Sequence, residues 1–423
     1  MELVERIISN PVMMEYVWKP LVVILILLFI VLTLVAYLVY AERKVSAFIQ
    51  ARLGPMRVGP YGLLQPLADL IKLLLKEDLI PAEGDRAIFK FAPIMSVVCA
   101  LVVLAVIPFG WGVATITDIN IGLLFILSVS SVGILGIILG GWASNSKYPL
   151  LGALRSSAQM VSYEVAMALA LVGPLMFAKS LSMTAIVEAQ RADHIWYLLY
   201  QPVAFLIFLV AGVAETNRTP FDLPEAEAEL VAGFHTEYSG FRWSLYFLAE
   251  YTNMLISSAI AVTVFLGGWS FPLLDRLRPE HPGLFTLLSI LVFAVKVFVL
   301  IYIFMWFRWT FPRYRYDQLM DLGWKWMIPA TLANILITGA IIMIGQETLG
   351  LTKVTGGEYG ERLVVPGLAG KAYFIGMAWL VLVPLTWIIL AIINRRSYDF
   401  NLRAQRQIRL PERPATDDVF GKV

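Results

Sequence analysis

Residues 215–240 read ETNRTPFDLPEAEAELVAGFHTEYSG, placing Glu215, Asp222, Glu225, Glu227, Glu229 and Glu237 against a single Arg218. Crowded carboxylates raise one another's tendency to hold a proton. Such a group can store protons and answer a charge change nearby. Asp222-Leu223-Pro224-Glu225 has the form of a capped helix start with proline in the first turn. Glu225 and Glu229 would then share a face. The same acids also suit a solvated loop, where each favours a helix N-terminus by about 0.3–1 kcal/mol. The segment by itself leaves both readings open.

Other charges stand inside apolar runs. Glu164 lies in SSAQMVSYEVAMA, Glu250 early in the run 244–270, and Lys296 within 285–307. A carboxylate at membrane depth costs about 2.5–3.5 kcal/mol, so it faces a partner or a wet cavity. A structural ion pair, for instance Lys296 with an acid, is the alternative to a functional role. Glu42, Arg43, Lys44 and Arg52 follow the first apolar run directly. They fit either ordinary basic flanks or the mouth of a lipid-accessible chamber. Arg308, Arg313 and Arg315 read as topology signals, with Asp317 and Asp321 as candidate partners.

The elements that must hold these residues are helices in a membrane. Hydrophobic residues make up 59% of the chain and charged residues only 15%, far from the composition of a soluble domain. Apolar segments recur at about 20–40, 91–109, 121–141, 157–178, 196–214, 244–270, 285–307, 327–345 and 373–393. Each is long enough to cross a hydrocarbon core of roughly 30 Å, and none alternates as a barrel strand would. The expected fold is all-α and polytopic, with about nine transmembrane helices. The net charge of +2 gives no reason to expect nucleic acid.

With alternating spans, the basic residues concentrate on the side holding 41–90, 215–243 and the C-terminal tail. The positive-inside rule then puts the N-terminus outside and the C-terminus in the cytoplasm. The stretch MELVERIISN lacks a basic leader, and the first apolar run is too long for a cleaved signal. It reads as a mature membrane segment. In YGLLQPLADLIKLLLKED, Gln65, Asp69, Lys72 and Lys76 form one polar stripe on an apolar helix, the pattern of a helix lying in the interface. Cys99 is the single cysteine, and His194, His235 and His281 are far apart. One thiol holds neither an intrachain disulfide nor an iron–sulfur cluster. No metal site is expected.

At these residues a family becomes recognisable. AERKVSAFIQARLGPMRVGPYGLLQPLADLIKLLLKED resembles the first inner loop of the H-subunit family of bacterial NADH:quinone oxidoreductase, respiratory complex I. AETNRTPFDLPEAEAELVAGFHTEYSG is similar to that family's most specific signature, and SLYFLAEYTNM and FPRYRYDQLMDLGWK match the blocks that follow. The resemblance covers about residues 20–345. It implies a bacterial inner-membrane subunit forming the membrane side and entrance of a quinone cavity, and the start of an acidic proton path. By the matching motifs, Glu164, Glu215, Asp222, Glu225, Glu227, Glu237 and Glu250 would belong to that path, with Glu229 adjacent. Arg43, Arg52, Asp69 and Arg218 would line or brace the quinone chamber. Quinone would be substrate, while flavin and iron–sulfur centres would lie on other subunits. The partners would be other membrane-arm subunits and the quinone-site subunits of the hydrophilic arm.

The commonest family pattern ends soon after 327–345. This chain is expected to divide into a family domain, 1–345, and an extension, 346–423, with a ninth span and a basic tail. Two other readings stay in view. One is a homologous subunit of a membrane-bound hydrogenase or ferredoxin-linked complex, which uses no quinone. The other is a stand-alone ion transporter, whose mark would be inverted halves with paired broken helices.

Overall fold

The computed structural model describes residues 18–112, 116–222, 231–271, 282–357, 360–365, 367–388 and 390–391. In chain order the helices are α1 (Lys19–Ile49), α2 (Gln65–Leu75), α3 (Arg86–Val103), α4 (Gly122–Ala143) and α5 (Lys147–Ala178). Then come α6 (Met183–Asp193), α7 (Tyr197–Tyr200), α8 (Pro202–Glu215), α9 (Gly240–Phe265) and α10 (Pro282–Thr310). The next run joins α11 (Tyr316–Asp321) to α12 (Ile328–Met343) through a π-helical turn. A hairpin of β1 (Lys353–Gly357) and β2 (Gly360–Val364) leads to α13 (Gly367–Met377). Among the described residues, eight helical runs are long and apolar enough to cross a membrane; α8 is shorter. The architecture is an all-α polytopic membrane protein.

The structure departs from one predicted span. The segment 196–214 is broken at Gln201 (φ −136°, ψ 57°), just before Pro202. Proline has no N–H to donate, and it pushes the residue ahead of it out of the helical region. The remaining α8 has 14 residues, about 21 Å at 1.5 Å per residue, short of a full crossing. Polar side chains fill the break. Gln201 Nε2 donates to Thr338 Oγ1 at 2.9 Å, and Asn334 Nδ2 donates to Gln201 Oε1 at 2.9 Å.

Two helices organise the bundle. The α5 helix packs against α4, α8 and α12, and α9 packs against α1, α2, α3, α8 and α10. The α9 span is the most enclosed, with 78% of its apolar window buried. Small residues let neighbours approach closely, as membrane packing requires. A Cβ on Gly152 of α5 would stand 2.7 Å from the Gly233 backbone. The loop ahead of α9 is therefore pressed directly onto α5.

The α2 helix carries exposed Leu67, Leu70, Leu74 and Leu75 and buries no residue in the chain. That outward apolar face is what an interfacial helix presents. In the extension, β1 and β2 pair antiparallel with Lys353 opposite Val364. The Val365 N–H donates to Asp193 Oδ1 at 3.2 Å, and the Phe374 ring packs edge-on against Phe177 at 5.6 Å. The extension is thus packed on the ends of α5 and α6. The basic tail 394–423 lies outside the described residues.

Candidate functional site

The turn that follows α8 carries Arg218 into the protein, where the residue is 3% exposed. Its Nη1 donates to both carboxylate oxygens of Glu42, at 3.0 and 2.8 Å. Its Nε forms an ion pair with Glu250 of α9. The guanidinium also lies over the Tyr251 ring, 4.2 Å from the centroid. Tyr251 Oη donates to Glu42 Oε2 at 2.7 Å, and Arg308 Nη1 binds Glu42 Oε1. Two acids and two guanidiniums therefore balance in a buried knot joining α1, α9, α10 and the 216–222 turn. Such a knot is tolerated inside a protein because each charge has a partner and further hydrogen bonds.

The turn itself is held from α5. Gln159 Nε2 donates to the carbonyls of Ala214 and Phe221 at 2.8 and 2.9 Å. Gln159 is fully buried, so these bonds fix where Glu215 and Arg218 stand.

Behind the knot lies a cavity with about 100 Å³ of water-accessible space. Its wall includes Glu250, Glu215, His235, Cys99 and Ser130. Ser96 and Ser257 also line it, and their buried hydroxyls have no hydrogen-bond partner among the described residues. The wall is mostly apolar, with Glu215, Glu250, His235 and the serines among its polar groups, and beside these the space suits several waters, at about 10–15 Å³ each. At the far end, Ser130 and Ser131 both reach Glu164 as hydrogen-bond partners. Glu164 lies within electrostatic reach of Glu215, and Asp222 within reach of Glu250. The carboxylates thus run in the order Asp222, Glu250, Glu215, Glu164. The Glu164 end opens sideways, because Ser131, Val132, Val161 and Val165 are exposed there.

Outside the spans, burial sets two protonation states on the loop flank of the cavity. It lowers the His235 imidazole to about 4, so this ring is neutral near pH 7. It also pushes the Tyr238 hydroxyl up to about 12.

The other predicted site residues fall in two places. Arg43 and Asp69 meet at 2.5 Å between α1 and α2, with Gln65 Nε2 donating to Asp69 Oδ1 at 3.0 Å. This pair is half exposed and stands apart from the buried knot. Arg52 is exposed beyond the end of α1, and Glu237 does not line the cavity. Glu225, Glu227 and Glu229 lie outside the described residues.

Arg308 and Arg313 do not take the candidate partners Asp317 and Asp321. Arg308 binds Glu42, Arg313 Nη2 donates to Asp222 Oδ2 at 2.9 Å, and Asp321 is taken by Lys325 at 2.7 Å. For Arg308 and Arg313, sequence neighbours lose to partners brought by distant segments, whereas Asp321 pairs within its own helical run. In place of an acid, Lys296 donates to the carbonyls of Leu266, Gly268 and Ser270 at 2.7, 2.9 and 2.8 Å. The loop after α9 needs donors where it lacks helical bonds, and Lys296 supplies them.

Residues 22–339 match the family described as NADH dehydrogenase. An H subunit of NADH-quinone oxidoreductase from Geobacter sulfurreducens is 53% identical over 328 residues, covering 76% of this chain and 95% of that protein. The chain belongs to the H-subunit family of NADH-quinone oxidoreductase. A relative of the same name from Solibacter usitatus is 47% identical over 81% of this chain and 100% of its own length. An NADH-quinone oxidoreductase subunit 8 from Rhodothermus marinus is 50% identical over 76% and 96%. As a member of this family, the chain is a membrane subunit of an oxidoreductase complex and works among other subunits.

Reading the sequence alone names Glu42 only with the flank Arg43, Lys44 and Arg52, and misses its place at the centre of the buried knot. Its signal is there: an acid at the end of an apolar run, ahead of the basic pair Arg43-Lys44. His235 is missed as well, because no second histidine stands nearby in sequence to suggest a site.

Proposed function

We propose that this subunit forms the membrane side and entrance of the quinone cavity, and the first section of an acidic path that couples quinone reduction to proton translocation. One observation carries the reading: a single cavity joins Glu250, ion-paired to Arg218, with Glu215 and, through Ser130, with Glu164. Reduction of quinone on the loop side consumes protons and changes the local charge. A carboxylate such as Asp222 or Glu250 responds by coupled titration with its neighbours. The displaced proton or charge then moves through the cavity toward Glu215 and Glu164.

Each end of the path has a physical role. On the loop side, Arg43 and Asp69 stand between α1 and the lipid-facing α2, which fits an entrance taken by an apolar quinone from the bilayer. Arg218 braces the chamber from within. At the lateral end, Glu164 sits beside exposed valines. A carboxylate facing lipid would be costly, so this face fits a neighbouring membrane-arm subunit that continues the path. The redox centres and the quinone headgroup's direct partners belong to other subunits. Residues 1–345 form the family domain, and the packed extension acts in stability or assembly. We place the chain in the bacterial inner membrane with its N-terminus outside.

The test is Glu164→Gln and Glu215→Gln in the assembled complex. Proton pumping coupled to NADH:quinone electron transfer falls severalfold in both. Wild-type pumping in both, with the complex intact, would remove the proposal.

A further inference from the structure

The acidic path has a guarded end. A proton passing from the quinone side to Glu250 moves beside Arg218 and Arg308, two guanidiniums fixed on Glu42 and Glu250. Both carboxylates there are already held by these cations, so a proton arriving on either must displace a guanidinium partner. The cavity has another flank with different chemistry. His235 lines it from the 233–235 turn, with the Phe234 ring at 4.9 Å and the Trp243 ring at 6.4 Å. That turn lies on the loop side: Val231 just before it is 58% exposed, and Thr236 and Glu237 after it are partly exposed. His235 therefore spans from the loop surface to the cavity that holds Glu215 and Glu250.

We propose that His235 is a second proton inlet to this cavity, feeding Glu215 from the loop side without passage through the Arg218–Glu250 pair. The inference rests on the acidic-path reading above. The ring is the group for the task because a neutral imidazole carries one N–H and one bare nitrogen. The bare nitrogen takes a proton from water on the loop side. The other nitrogen gives its proton to cavity water, and the tautomer is then reset, so one proton enters and one leaves. Its low proton affinity, about 4, prevents the ring from trapping the proton. The ionisable and charged groups around this flank are Glu237 on the same loop, Tyr238, Arg242 with its partner Asp78, Tyr246, and Glu250 across the cavity. Among these, Arg242 is held at 2.8 Å by Asp78, which offsets its charge near the inlet.

The experiment uses the whole complex in liposomes, with His235→Ala and His235→Gln. Protons moved per electron fall at least twofold in both, and added imidazole restores His235→Ala but not Glu215→Gln. Wild-type stoichiometry in either assembled variant, or a loss in His235→Ala that imidazole does not relieve, overturns the inlet. If the variants do not assemble, diethylpyrocarbonate labelling of the wild-type complex decides: an inlet is reached by water and His235 is modified, whereas an unreactive His235 overturns it. Glu164→Gln and Glu215→Gln run in parallel. If those also pump normally, the acidic path itself has failed; if only the His235 variants do, the inlet alone has failed.

Discussion

Arg218 reaches across 176 positions of sequence to hold both carboxylate oxygens of Glu42. The bond ties the turn after α8 to the end of the first membrane helix. It also places one guanidinium between Glu42 and Glu250, so the charge of either acid is felt by the other. A proton change at one member of this knot therefore has somewhere to register.

Removing the central cation exposes that balance. Arg218→Met leaves Glu42 and Glu250 buried, with only Arg308 and Tyr251 still in contact with Glu42. Breaking a buried pair in this way costs about 3–5 kcal/mol. The expected outcome is a marked drop in assembled complex and in its thermal midpoint. Arg218→Lys recovers part of the loss, because an ammonium keeps the charge but not the fork.

Lys296 makes a different prediction. Lys296→Met strands three carbonyls of the loop after α9, each a group that costs about 1–3 kcal/mol when buried unpaired. Hydrogen exchange in 266–271 speeds up, and limited proteolysis finds a new site there. Lys296→Arg restores little, because a planar fork does not match three converging carbonyls. An unchanged exchange pattern in Lys296→Met would show that the lysine does not hold the loop.

Gly152 tests the close contact that holds the His235 turn. A Cβ at this position lies 2.7 Å from the Gly233 Cα and 2.8 Å from the Phe234 nitrogen. Gly152→Ala pushes the turn away from α5, at about 1–3 kcal/mol for overpacking. Proton pumping suffers more than complex assembly, since the displaced turn forms a cavity wall. Equal pumping per electron in Gly152→Ala and wild type would mean that the turn's position is not critical.

His235 gives the loop side a pH signature. Its folded affinity is lowered to about 4 by burial, against 6.5 for the free side chain. Below pH 6.5 the unfolded chain binds a proton that the folded protein refuses until about pH 4. Stability from this residue is thus fully present above pH 6.5 and is lost as the pH falls toward 4. Thermal midpoints measured from about pH 7.5 down to about pH 4.5 should decline less steeply in His235→Gln than in wild type.

Much of this protein is set by local chemistry that the sequence carries openly. Runs of apolar residues can only be helices in a bilayer, because every backbone polar group must be satisfied within its own segment. Thus the apolar helices, the amphipathic α2 and the acidic character of 215–237 are legible without coordinates. Even the break at Gln201 follows a local cue, Pro202, although the apolar run hides it. The family motifs mark Glu215, Arg218 and Glu250 as residues of interest, and Glu164 stands out as a carboxylate inside an apolar run.

Pairing is another matter. Nothing in the order of residues says that Glu42 meets Arg218 and Arg308, or that Arg313 prefers Asp222 to the nearer Asp317. Those choices depend on which helix faces pack together, and many arrangements share the same apolar pattern. The sequence suggests an acid for Lys296, yet its partners are three carbonyls, because the end of α9 stops beside it. The cavity that gathers Glu250, Glu215 and His235 is likewise a product of packing. Charge and helix are properties of a segment; a buried partner is decided where segments from across the chain converge.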